Sequence, residues 1–240
     1  MSLQIGTSGW TYPHWQKNFF PNTLPSDERL RFYARKFSTV ELNTTFYGLP
    51  AVPTVRRWRD TVPPSFLFAI KGSRFTTHMK KLLDPKKSTV KFFRAIAPLK
   101  GRTTAVLFQL PPFFKINTQR LEAFLKAMPP GYRYAFEFRN ATWFHPEVYS
   151  ILRSAKAALC LFDIKGMQPP EEITGDFVYL RLHGPQSQAY RGSYSRQNLV
   201  KWAAKISQWQ KSNKDVFVYF DNDEKGYAPI NALSLRRLLE

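Results

Sequence analysis

Eight short apolar runs, nearly all closed by a polar or charged side chain, constrain the fold of this chain more than any other feature. They begin near residues 3, 39, 67, 104, 133, 157, 177 and 215. Thr39-Val40 leads into Glu41 and Asn43, Leu67-Phe68-Ala69-Ile70 into Lys71, and Ala105-Val106-Leu107-Phe108 into Gln109. The later runs end at Glu137 and Arg139, at Asp163, at Arg181 and His183, and at Asp221. Runs this continuous in apolar residues suit strands covered on both faces. No Asn-Gly or Asp-Gly pair marks a tight hairpin between consecutive runs.

The intervening segments carry helical spacing. Leu30, Tyr33, Ala34 and Phe37 form one stripe, opened by Pro25-Ser26 with Asp27 and Glu28 at the positive end of the dipole. Leu121, Phe124, Leu125 and Met128 form a second, with Asn117 or Thr118 as cap; Leu199, Trp202, Ala203 and Ile206 form a third after Ser195. A one-sided stripe packs on a sheet and shows its other face to water. Strands alternating with such helices, each with polar chemistry at its C-terminal end, predict a TIM-type (β/α)8 barrel with a site at its mouth. The 240 residues match one such domain, of roughly 250 residues, so residues 1–240 are read as a single domain. A doubly wound sheet would carry a glycine-rich phosphate loop after its first strand, but Gly6-Thr7-Ser8-Gly9-Trp10-Thr11-Tyr12 lacks G-x-G-x-x-G.

Composition narrows the setting. No apolar stretch reaches the roughly 18 residues of a membrane span, and the first residues enter a strand without a signal-like core. Cys160 is the single cysteine and lies in an apolar run, as a buried thiol in a reducing compartment would. The expectation is a cytoplasmic monomer with no membrane partner. Lys and Arg total 36 against 17 Asp and Glu, a net charge of +19. That excess attracts polyanions and weakens as salt is added. Part of it is expected on outward helix faces, at Arg56, Arg57, Arg59, Lys86, Lys87 and Lys91.

Side chains alternate along a strand, so Glu41 and Asn43 share a face, as do Glu137 and Arg139, and Arg181 and His183. If those faces point inward, the mouth sets Glu41, Glu137, Asp163 and Asp221 against Lys71, Arg139 and Arg181. Charges this near a core must be paired; as a site they would recognise an anion. Lys71, Arg139, Arg181 and Arg191 would clamp phosphate, while Glu137, Asp163 and His183 are the acid–base candidates. Glu, Asp and His at strand ends could also hold a divalent metal, the one cofactor considered, although nearby cations compete for the same carboxylates and no metal-binding spacing is present.

The loop His183-Gly184-Pro185-Gln186-Ser187-Gln188-Ala189-Tyr190-Arg191-Gly192-Ser193-Tyr194 joins glycine-freed amides to an arginine and two tyrosines. Barrels often hold phosphate at the loops after strands seven and eight, and the eighth loop here starts Asp221-Asn222. Trp10, Tyr12, Trp15, Phe46, Tyr47, Trp143 and Phe144 crowd other loops, where they either stack on a ligand or pack loop on loop. His78 follows the third strand and is a further acid, base or phosphate candidate; His14 and His145, each beside proline, read as loop or helix-start residues.

The chain resembles the YecE-like family over essentially its whole length. The likeness rests on Ile5-Gly6-Thr7-Ser8-Gly9-Trp10, on Glu41-Leu42-Asn43-Thr44-Thr45-Phe46-Tyr47, and on Gln109-Leu110-Pro111-Pro112. Glu137-Phe138-Arg139, Arg181-Leu182-His183-Gly184, Tyr190-Arg191-Gly192-Ser193-Tyr194 and Gly226-Tyr227-Ala228-Pro229 continue it. Two positions depart from the family pattern: Phe20 in place of a frequent Tyr, and Asp221 in place of a common Asn. The resemblance implies a TIM barrel and brings no assigned reaction. A likeness to endonuclease IV-type barrels implies DNA binding by analogy. The partners expected are therefore a phosphate-containing small molecule or a nucleic acid. A sugar or sugar-phosphate isomerase or hydrolase, and a ligand-binding barrel without turnover, are the alternatives. A two-carboxylate glycosidase is disfavoured, because strands four and seven end in Gln109 and in Arg181 and His183.

Overall fold

The computed structural model describes residues 1–240. Its strands are β1 (Leu3–Thr7), β2 (Thr39–Leu42), β3 (Leu67–Lys71), β4 (Thr103–Leu110), β5 (Tyr134–Phe138), β6 (Ala158–Asp163), β7 (Phe177–Leu182) and β8 (Asp215–Phe220). Every expected run forms a strand. The order in the sheet is β1-β8-β7-β6-β5-β4-β3-β2, with parallel pairing. An isolated parallel bridge joins Ser8, just past β1, to Glu41 in β2.

The helices are α1 (Arg29–Ala34), α2 (Thr44–Tyr47), α3 (Val52–Thr61), α4 (Pro85–Ile96), α5 (Thr118–Lys126), α6 (Pro146–Ser154), α7 (Arg196–Lys211) and α8 (Tyr227–Leu239). None is long and apolar enough to cross a membrane. Alternation of parallel strands and helices makes this an irregular (β/α)8 barrel of the TIM type. The irregularity is local: two helices separate β2 from β3, and none separates β6 from β7. Thr174 organises that helix-free connection by accepting the Leu159 N–H at 2.8 Å and donating to the Ala157 carbonyl at 2.7 Å.

The helix starts follow local chemistry. Asn117 accepts the Arg120 N–H, Ser195 accepts the Asn198 N–H, and His145 accepts the Glu147 N–H. Each satisfies one of the amides that a helix leaves without a partner. The first stripe overruns its helix. α1 ends at Ala34, and Phe37 reaches the core from a turn in which its N–H donates to the Tyr33 carbonyl.

The chain divides into two compact units: residues 1–41, 161–168 and 177–240, and residues 42–160 and 169–176. In the first, the buried Tyr33 hydroxyl accepts the Thr7 N–H at 3.0 Å and donates to the Thr39 carbonyl at 3.0 Å, holding α1 to β1 and β2. Burial pushes its phenol well above the ordinary value. Gly6 permits the strand approach there, since a Cβ would stand 2.4 Å from the Thr39 carbonyl oxygen. In the second unit Phe108 meets Phe124 edge-on at 4.9 Å, and Phe138 stacks on Trp143 at 4.7 Å. The Trp143 indole N–H donates to the Phe114 carbonyl at 2.6 Å, so this buried ring is loop packing.

Candidate functional site

In the first unit, β7 places Tyr179 and Arg181 on one face by the two-residue period of a strand, and His183 follows just past its end. All three are fully buried, as is Glu41 on β2. Glu41 Oε1 accepts from Arg181 Nη2 at 2.7 Å and Nε at 3.2 Å, and from the Ser8 hydroxyl. Glu41 Oε2 accepts from the Tyr179 hydroxyl at 2.7 Å. Burial, then the Glu41 charge, push the Tyr179 phenol well above its ordinary value. Arg181 Nη2 also donates to Asp221 Oδ2 at 2.9 Å.

His183 completes this network. Its Nε2 lies 3.4 Å from Arg181 Nη1, and its Nδ1 lies 3.1 Å from Asp221 Oδ2. A guanidinium has donors only. In that contact Nε2 is therefore the acceptor. Four expected site residues, Glu41, Arg181, His183 and Asp221, thus form one ionic network in which Arg181 is bonded to two carboxylates. Removing one partner would strand a buried charge. The network's mutual pairing holds these strand ends together.

A second layer lies in the same unit. The Tyr194 hydroxyl accepts the Gly184 N–H at 2.9 Å and bonds the Asp163 carboxylate, and burial pushes Tyr194 upward. Gln168 Nε2 donates to Asp163 Oδ1 at 3.1 Å. Gly184 has φ +108°, and a Cβ there would lie 2.2 Å from the Arg191 carbonyl oxygen. Tyr190 donates its N–H to the His183 carbonyl at 2.6 Å and sets its ring edge-on to His183. Asn222 Nδ2 donates to Gly192 O at 2.9 Å and Asn231 Oδ1 at 2.8 Å, while its own Oδ1 is buried without a donor. Arg191 extends to Glu224 at 4.0 Å and is half exposed.

The first and eighth loops meet at Asp223. His14 Nε2 lies 2.7 Å from Asp223 Oδ2, and the Trp15 indole donates to Oδ1. Burial pushes Asp223 up to about 6 against these contacts. Trp10, expected to face a ligand, is 7% exposed.

The second unit carries the other predicted residues. Glu137 is fully buried and accepts from Arg139; the Cys160 thiol stands 3.8 Å from Glu137 Oε2. Lys71 is buried at the end of β3, with Nζ 4.4 Å from the Phe46 ring centroid. Thr45 donates to the Lys71 carbonyl at 2.7 Å, fixing the start of that loop. His78 meets the same Phe46 ring edge-on at 5.0 Å. Burial first, then the charges of Lys71 and Arg74, lower His78 to about 4. Gln109 Oε1 and Asn43 Oδ1 are buried acceptors without donors.

Ser8, Tyr179, Arg74 and Asn231 escape the sequence reading as site residues. Tyr179 was within reach, since it precedes Arg181 by one strand period. Asn231 carries no such signal, because α8 places it from a distant stretch of chain. No group of three or more His, Cys, Asp or Glu side chains gathers in a way that could hold a metal ion.

Parallel strands alternating with helices, with polar groups at their C-terminal ends, define a TIM-type barrel protein. A family model described as protein of unknown function DUF72 matches residues 4–240. The chain belongs to that family. It is 27% identical to the UPF0759 protein YunF of Bacillus subtilis, across 99% of this chain and 95% of that one. It is 30% identical to the UPF0759 protein YecE of Escherichia coli over 59% of this chain and 50% of that protein. A solved DUF72 family protein of Thermotoga maritima superposes with a TM-score of 0.90 at 29% identity, covering 100% of this chain and 99% of the other.

Proposed function

We propose that this barrel recognises a phosphate-containing ligand at the polar ends of its strands. The observation that carries the reading is the cationic group after β3. Lys71 and Arg74 stand close enough to the half-buried His78 that their charges add to burial, the larger cause, in lowering it to about 4. An anion bound there offsets the mutual repulsion and is favoured by it. The orphaned acceptors of Gln109 and Asn43 suit hydroxyl groups on the same ligand. Within the same unit Arg139 supplies a second cation, and Glu137 is the acid–base candidate of a catalytic version. The net charge of +19 makes nucleic acid the first carrier of that phosphate to test, with sugar phosphates next.

The experiment is a titration of His78 by NMR with inorganic phosphate, phosphosugars, nucleotides and single-stranded or abasic DNA. Binding should raise the His78 pKa, and Lys71→Met should weaken the affinity at least about tenfold. Steep salt dependence with DNA would name nucleic acid as the carrier. A His78 pKa that no phosphate compound moves would sink the proposal.

A further inference from the structure

The loop after β3 exposes apolar side chains that the anion site does not use. Met79 is 65% exposed and Leu83 is also exposed, although neither has a polar group to hydrate. Phe75 is exposed at the start of the π-helical turn Phe75–Met79, and Phe113, after β4, is 66% exposed. Lys80 Nζ lies 5.8 Å from the Phe75 ring and Lys81 Nζ lies 5.2 Å from the Phe113 ring. These adjacent lysines link both exposed rings to one segment of the second unit.

The backbone is built to hold this surface out. Lys81, Leu82 and Asp84 all adopt positive φ, at 47°, 66° and 46°. Left-handed backbone is costly for residues other than glycine, and such strain persists where the surroundings over-determine it. Leu82 supplies the anchor: it is 1% exposed, and its N–H donates to the Thr76 carbonyl at 3.1 Å. With Leu82 inserted, Met79 and Leu83 on either side are left in solvent. The flanking chain is cationic. Between residues 71 and 102 ten lysines and arginines stand against a single acid, Asp84.

We propose that this surface docks the protein peripherally on an anionic lipid bilayer. Exposed hydrocarbon with lysine ammonium groups 5.8 Å and 5.2 Å from its rings is the chemistry that inserts at a headgroup boundary. A juxtaposed basic run adds attraction to anionic lipid. Single-stranded nucleic acid would use the rings and the lysines, but it has no use for Met79 and Leu83, which present no planar face for a base. The expected absence of a membrane partner came from the lack of a spanning segment, which does not bear on surface docking.

The test is sedimentation of the full chain with phosphatidylcholine vesicles, with and without phosphatidylserine. Binding should require phosphatidylserine and weaken with salt. The variant Met79→Ser/Leu83→Ser, altered only at exposed positions, should bind at least about tenfold more weakly. Lys80→Glu/Lys81→Glu should lose binding as well. No sedimentation with anionic vesicles overturns the proposal. So does loss in the lysine variant with none in the apolar one, which would mark a general polyanion surface. If the apolar variant instead loses single-stranded oligonucleotide while keeping vesicles, the occupant is nucleic acid and the proposal fails. Lys71 and His78 are untouched in these variants, so the fate of the phosphate site is decided separately.

Discussion

Arg181 Nη2 stands 2.7 Å from Glu41 Oε1 and 2.9 Å from Asp221 Oδ2, and neither Arg181 nor Glu41 has any exposed surface. One guanidinium thereby ties the C-terminal ends of β2 and β7 to the residue just past β8. Arg181→Met leaves two buried carboxylates without their cation and should cost about 3–5 kcal/mol in urea unfolding. Glu41→Gln keeps the shape and part of the hydrogen bonding, so it should cost less than Arg181→Met. Equal losses would mean that the charge pairing is not what holds the network.

His78 gives stability a pH dependence of known sign. Its pKa falls from 6.5 to about 4 on folding, so between those values the unfolded chain binds the extra proton. Stability from this group is therefore present above pH 6.5 and is lost as pH falls towards about 4. Asp223, raised from 3.8 to about 6, acts oppositely: it favours folding at the acid end and loses that effect as pH rises through the same range. His78→Gln removes only the first contribution. The drop in melting temperature between about pH 7 and about pH 5 should be smaller in that variant than in the wild type.

Gly184 combines φ +108° with a Cβ position 2.2 Å from backbone oxygen, whereas Gly101 has open space around its Cβ position. Gly184→Ala should destabilise by at least about 2 kcal/mol, and Gly101→Ala should change stability by no more than about 1 kcal/mol. Matched thermal melts of the two variants test whether the tight turn after β7 is obligatory.

Tyr33→Phe deletes one oxygen that serves the Thr7 N–H and the Thr39 carbonyl in a buried setting. The loss should be about 1–3 kcal/mol, because both backbone groups are then unsatisfied away from water. Hydrogen exchange at the Thr7 amide should speed up more than at amides in the middle of β4.

Local physics made most of the architecture legible. Apolar continuity marked all eight strands, and one-sided spacing with Asn117 and Ser195 marked α5 and α7, because period and capping act over a few residues. The same alternation put Arg181 and His183 on one face. What it could not supply was the partner of each charge. Glu41 and Arg181 are 140 positions apart, and their bond exists only because folding brings these two residues together. The aromatic residues show the same division. Trp15 and Trp143 are fully buried while Tyr47 is 82% exposed, although all three follow strand ends and look alike in sequence.

Charge sharpens the point. The residue types at the strand ends were readable, and so was their need for pairing. Burial and distance decided which pairs formed: they bound Arg181 to two carboxylates and set Lys71 and Arg74 against His78. Sequence by itself determined where strands and helices begin and which faces carry polar groups, since those depend on short-range period. Only the tertiary structure decided which charges neutralise one another and which apolar side chains stay in water, because Coulomb energy and desolvation depend on separations in space.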